Sequence, residues 1–120
     1  MPHPLLVTSL NSLTEHRLDD LLGTVLANVG GDNPRLIEVM TSLITHAHAF
    51  VREVQPTEDE WLAGLDFLVR VGHMCDDKRN EFILMSDMLG LTSAVDEVNF
   101  PGIAEATPSS VEGPFHSPAA

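Results

Sequence analysis

The stretch 61–91, WLAGLDFLVRVGHMCDDKRNEFILMSDMLGL, decides the fold. Trp61, Leu62, Leu65, Leu68, Val69 and Gly72 fall on one side of a helix, and the periodicity breaks between Gly72 and Asp77. A second helix is expected from Asp76 or Asp77, with Phe82, Met85 and Leu89 in one row and Ile83, Leu84 and Met88 beside it. That apolar arc is wider than a surface helix needs, so this helix is expected to be the most buried one. Gly90 stands where a C-cap belongs, and Thr92 is placed to cap a short fifth helix over residues 93–98.

Upstream the same period continues. Thr14 reads as an N-cap, and Leu18, Leu21, Leu22, Val25, Leu26 and Val29 then share one face of a helix that should end at Gly30 and Gly31. Asn33 followed by Pro34 is a cap with proline in the first helical position, where a missing N–H costs nothing. Ile37, Met40, Leu43, Ile44, Ala47, Val51 and Val54 carry that second helix to Pro56, about twenty residues that on their own would be marginally stable. Thr57, Glu58, Asp59 and Glu60 form a capping box whose three carboxylates suit the positive end of a helix dipole. Residues 1–13 read as an extended lead-in with leucines at 5, 6, 10 and 13.

No strand alternation and no internal repeat is visible. The expectation is an all-α protein, a small bundle of about five helices over residues 1–99, followed by an extended proline-rich C-terminal tail over 100–120 that has four prolines, two glycines and no helical period.

A length of 120 residues suits one domain, and 43% apolar residues can build one core. The net charge of -12 opposes nucleic acid or an anionic membrane surface as partner. Cys75 is the only cysteine, so no internal disulfide forms. The start lacks the pattern of a signal peptide, and no apolar run approaches the roughly 20 residues that span a bilayer, so a cytoplasmic protein is the default.

Six histidines invite a metal hypothesis that their spacing discourages. His46 and His48 are two apart and point to different sides of a helix, and His3, His16, His73 and His116 stand away from any ligand pattern. The run Asp76, Asp77, Lys78, Arg79, Asn80, Glu81 reads more simply as a helix start than as an active site. Asp87 sits among Leu84, Met85, Met88 and Leu89; it is either a paired buried carboxylate or a residue of the narrow polar side. Cys75 has no adjacent base, and no phosphate loop or nucleophile elbow is present. From these residues alone the chain is an acidic helical domain, and nothing in them shows an enzyme.

Trp61, Phe67, Leu68, Val71, Gly72, Cys75, Lys78, Arg79, Glu81, Phe82, Leu84, Ser86, Asp87, Leu89, Gly90 and Leu91 carry a resemblance. Together they resemble the N-terminal helical domain of the intradiol ring-cleaving dioxygenases, the catechol and hydroxyquinol 1,2-dioxygenases. Glu105, Ala106, Thr107, Ser110, Val111, Gly113, Pro114 and Phe115 look like that family's connection into its catalytic β-sandwich. The resemblance implies a homodimer formed through the helices, with a phospholipid in an apolar channel at the interface. It also implies a ferric iron, Fe(III), in the complete enzyme, held by tyrosines and histidines of the catalytic domain. This sequence has no tyrosine, so no iron ligand set is expected in it and no ring cleavage by it unaided.

Matched by position to the hydroxyquinol branch, Leu84, Asp87, Val111, Gly113, Pro114 and Phe115 would contribute to the aromatic substrate pocket. A carboxylate at Asp87 would accept a hydrogen bond from an additional ring hydroxyl, whereas Glu112 departs from the apolar residue common there. The leading expectation is therefore the dimerisation and linker domain of a hydroxyquinol-type dioxygenase of aromatic catabolism, without its catalytic sandwich, as a shortened product or a short open reading frame. The alternative is a freestanding helical protein that carries a lipid or other hydrophobic ligand.

Overall fold

Each helix begins where a side chain can take up amides that have no partner within the helix. In the computed structural model, which describes residues 9–102, five helices follow one another: α1 (Ser12–Ala27), α2 (Pro34–Val54), α3 (Glu58–His73), α4 (Glu81–Met88) and α5 (Leu91–Asn99). No strand occurs among the described residues, and the all-α expectation of five helices is met. Leu5 and Leu6 of the lead-in, and the proline-rich tail beyond Gly102, lie outside the described residues.

The first cap differs from expectation. Asn11, not Thr14, caps α1, its side-chain oxygen accepting from the Thr14 amide at 2.8 Å. The helix also stops at Ala27, ahead of the two glycines, where Asn28 ends it and donates from its side chain to the Thr24 carbonyl at 2.9 Å. For α2 the expectation holds. Asn33 accepts from Arg35 and Leu36, and Gln55 leaves the helix in the left-handed region at φ 52°, turning the chain just before Pro56. The capping box of α3 is also present, with the Glu60 carboxylate 2.9 Å from the Thr57 amide and the Thr57 hydroxyl 3.1 Å from the Glu60 amide.

The chain divides after Trp61 into two units. In the first, α1 and α2 pack against each other. Their half-buried side chains form one row on each helix, Leu18, Leu22, Val25 and Leu26 on α1 and Ile37, Met40, Ile44, His48 and Val51 on α2. Arg52, near the end of α2, forms an ion pair with Asp19 and donates to the Glu15 carbonyl at 3.3 Å, which fixes the two helices antiparallel.

In the second unit α4 packs against α5. Here one expectation fails. Asp76 does not start α4; its carboxylate accepts from the amides of Lys78 at 2.8 Å and Arg79 at 2.7 Å, closing a turn of its own, and the helix starts later at Glu81 under the Asn80 cap. Relative to the other helices α4 is the most covered, with Glu81, Met85, Ser86 and Asp87 half-buried, yet Phe82, Ile83, Leu84, Met88 and Leu89 are all exposed. A two-turn helix that is apolar all round cannot cover every side against one neighbour. Indeed no described side chain in either unit is fully buried.

The caps make a direct test. Asn11→Ala should cost about 1 kcal/mol in urea unfolding followed by circular dichroism. Thr14→Ala should stay within about 0.5 kcal/mol of the parent chain.

Candidate functional site

The residues that connect α3 to α4 prepare a short, fixed helix. Cys75, half-buried, donates its thiol toward the Val71 carbonyl at 3.5 Å and accepts from the Glu81 amide at 3.3 Å, so one sulfur links the last turn of α3 to the first residue of α4. Asn80 accepts from the amides of Phe82 at 3.0 Å and Ile83 at 3.3 Å. Phe82 lies over Gly72, where a Cβ would meet its ring at 3.8 Å.

The other end of α4 is also tied. Gly90 adopts φ 75°, a left-handed conformation that costs glycine little, and its amide donates to the Asp87 carbonyl at 3.0 Å. The chain then turns directly into α5. Thr92 does not cap that helix, which has no side-chain cap and starts at Leu91; its hydroxyl instead meets the Ser86 hydroxyl at 2.8 Å.

Leu84 and Asp87 stand between these ties, one helical turn apart and therefore neighbours on the helix surface. Leu84 is 52% exposed, and Asp87 is half-buried. The Asp87 carboxylate makes no hydrogen bond or ion pair with any described residue. An apolar side chain beside an uncommitted acceptor can pack against a flat ring and take a hydrogen bond from a hydroxyl on it. Val111, Gly113, Pro114 and Phe115 lie outside the described residues. Cys75, Ser86 and Thr92 make contacts around this helix that the sequence did not reveal.

A second feature is the uncovered apolar surface. On α2 a row of Leu36, Val39, Leu43, Phe50 and Val54 is exposed beside the row that meets α1. Arg35 and Arg52 balance Glu38 and Glu53, so α2 is formally neutral in a chain of charge -12. Arg35 and Glu38 pair with each other at 2.9 Å, and His46 Nδ1 donates to the Ser42 carbonyl at 2.7 Å. On α3, by contrast, Glu58, Asp59, Glu60 and Asp66 stand against Arg70 alone around an exposed Trp61, Leu62, Leu65, Phe67, Leu68 and Val69.

No group of three His, Cys, Asp or Glu side chains converges among the described residues, and the sequence has no tyrosine. The residues present therefore do not fit a ferric centre of the kind the family resemblance implies, and no iron ligand is assigned to this chain. No helix among the described residues is long and apolar enough to cross a membrane.

Residues 33–107 match the family model described as the catechol dioxygenase N terminus, more than half of the chain. The chain belongs to that family. Its curated relatives include a hydroxyquinol 1,2-dioxygenase of Corynebacterium glutamicum, 45% identical over 98 residues, covering 81% of this chain and 33% of the relative. Another, from Rhodococcus opacus, is 51% identical over 83 residues, covering 69% of this chain and 28% of the relative. A solved hydroxyquinol 1,2-dioxygenase from Pseudomonas putida DLL-E4 superposes with a TM-score of 0.67 at 38% identity, covering 91% of this chain and 38% of that one. The chain thus spans about a third of the length of these relatives. It is similar to the helical N-terminal portion of intradiol dioxygenases, and α2 to α5 all lie within the matched residues.

Within this dioxygenase N-terminal domain, the Gly72 contact is testable. A methyl group there would meet Phe82 at ordinary van der Waals distance in a compatible backbone. Gly72→Ala should therefore raise stability by about 0.4–1 kcal/mol in chemical unfolding.

Proposed function

We propose that this chain is the dimerisation and linker domain of a hydroxyquinol-type intradiol dioxygenase, and that it supplies one wall of the phenol pocket. The observation that carries the proposal is Asp87, an uncommitted carboxylate one turn from the exposed Leu84, in a chain 45% identical to a hydroxyquinol 1,2-dioxygenase. Hydroxyquinol has one more hydroxyl than catechol. A charged acceptor on the pocket wall distinguishes the two rings, because a hydrogen bond to a carboxylate is stronger than a neutral one.

In this proposal residues 1–99 form the helical association and linker region, and 100–120 lead toward the catalytic part. Val111, Gly113, Pro114 and Phe115 would complete the pocket from that connection, and the ferric iron would be held outside this chain. The lone cysteine is compatible with a cytoplasmic setting.

The uncovered row on α2 is the proposed surface for a second copy. Like-charged chains repel, and pairing through α2, the one formally neutral helix among the described residues, brings the least negative charge together. A phospholipid tail between the copies would cover apolar side chains that remain exposed.

Sedimentation should show self-association of the 120-residue chain that strengthens as salt screens the repulsion. Leu43→Asp should weaken it by about tenfold or more, the scale of removing one buried leucine. A monomer that carries one acyl lipid per chain would favour the carrier reading instead.

For the pocket, this chain would replace the matching third of the Pseudomonas putida enzyme. The fusion should cleave hydroxyquinol, and Asp87→Ala should lower its preference for hydroxyquinol over catechol by about tenfold or more. An unchanged preference would remove Asp87 from the pocket.

A further inference from the structure

We infer that Ser86 and Thr92 form a positioning pair, a hydroxyl latch that holds the last turn of α4 and so aims Asp87 at the third hydroxyl of the substrate; this rests on the pocket reading above. An eight-residue helix has little stability of its own, and its final turn frays first. At its start α4 is held by Asn80 and Cys75. At its end the left-handed Gly90 permits a reversal into α5, and Gly90 donates to the Asp87 carbonyl at 3.0 Å. That backbone bond stays within the turn and does not fasten it to another element.

The Ser86–Thr92 contact does. At 2.8 Å it is the one side-chain hydrogen bond between α4 and α5 among the described residues, and both residues are half-buried. Ser86 directly precedes Asp87 in the chain. Rotating or unwinding that turn would move the carboxylate, so the latch acts on the substrate through Asp87 and not by touching it. A carboxylate displaced by even part of a turn loses its hydrogen bond, because such bonds weaken steeply with distance and angle. The consequence falls on the additional hydroxyl alone. Catechol has no group for Asp87 to bind, so its handling is insensitive to the latch.

In the iron-loaded fusion enzyme, Ser86→Ala and Thr92→Val should each raise KM for hydroxyquinol about three- to tenfold, the scale of one hydrogen bond. The kcat for hydroxyquinol and the KM for catechol should change by less than about twofold on the same reasoning. Ser86→Thr, which keeps a hydroxyl, should restore the parent KM. If KM for both substrates moves together, or for neither, the latch is overturned.

Asp87→Ala in the same fusion separates the two ideas. If that variant keeps its hydroxyquinol preference, the pocket reading falls and takes the latch with it. If it loses the preference while the latch variants keep theirs, only the latch falls. Should the fusion not assemble, amide exchange of the 120-residue chain reads the same contact. Exchange at Asp87, Leu89 and Gly90 should quicken about three- to tenfold in Ser86→Ala and return toward the parent in Ser86→Thr. Unchanged exchange overturns the proposal.

Discussion

Apolar side chains that the helices cannot bury among themselves set the terms for everything else in this structure. None of the described residues is fully buried, although apolar side chains recur along every helix. A soluble helix ordinarily keeps one apolar stripe for its neighbour and gives the rest to water. Here α2 has two stripes side by side. One, through Ile37, Met40, Ile44 and Val51, is half-covered in the unit that α2 forms with α1; the other, through Leu36, Val39, Leu43 and Phe50, is not. Contiguous exposed apolar surface of this kind marks a place where another molecule or another part of the polypeptide belongs.

Charge then limits which surface can serve. The chain is strongly acidic, yet the acids are unevenly placed: they crowd the first turn of α3, where the helix dipole favours them, and they cancel on α2. Hydrophobic gain is roughly proportional to area, so α2 and α3 offer comparable material. The difference lies in repulsion between like charges, which is why α2 is the surface proposed for a second copy. The same unevenness accounts for Arg52. It is the cation that ties α2 to the acidic start of α1, and it draws Asp19 out of the acid surplus.

How much of this was legible beforehand depended on whether the deciding interaction is local. Asn33 with Pro34, and Thr57 with Glu60, fix helix starts through residues two or three apart, and both could be read directly. Where two competent residues stand close together, the sequence did not decide between them. Asn11 took the cap expected of Thr14, and Asp76 spent its carboxylate on the Lys78 and Arg79 amides, leaving Asn80 to start α4. Burial was legible in rank and not in degree: the breadth of the apolar arc on α4 tells how much surface wants covering and nothing about what covers it. At the candidate site, the one-turn spacing of Leu84 and Asp87 was visible. The Ser86–Thr92 contact was not, because it exists only once Gly90 turns the chain back on itself.

Asp87 is the residue whose surroundings conflict most with its chemistry. It lies in the last turn of α4, where the helix dipole opposes a negative charge, it is half-buried, and no described cation or donor meets its carboxylate. Other acids are better placed: Glu58, Asp59 and Glu60 sit at a helix start, Asp19 and Glu38 pair with arginines, Asp76 closes a turn, and Glu53 and Asp96, though near helix ends, are exposed to water. Local structure gains nothing from an acid at position 87. Residues that cost stability and return none within their own element are the ones expected to meet something from outside it. A ring hydroxyl satisfies that condition well: it donates a hydrogen bond without bringing a counter-charge, and the adjacent Leu84 offers the ring an apolar face. In the proposed pocket the short helix, tied at both ends, would do more than connect α3 to α5, since only a fixed turn can hold an acceptor at the angle a single hydroxyl requires.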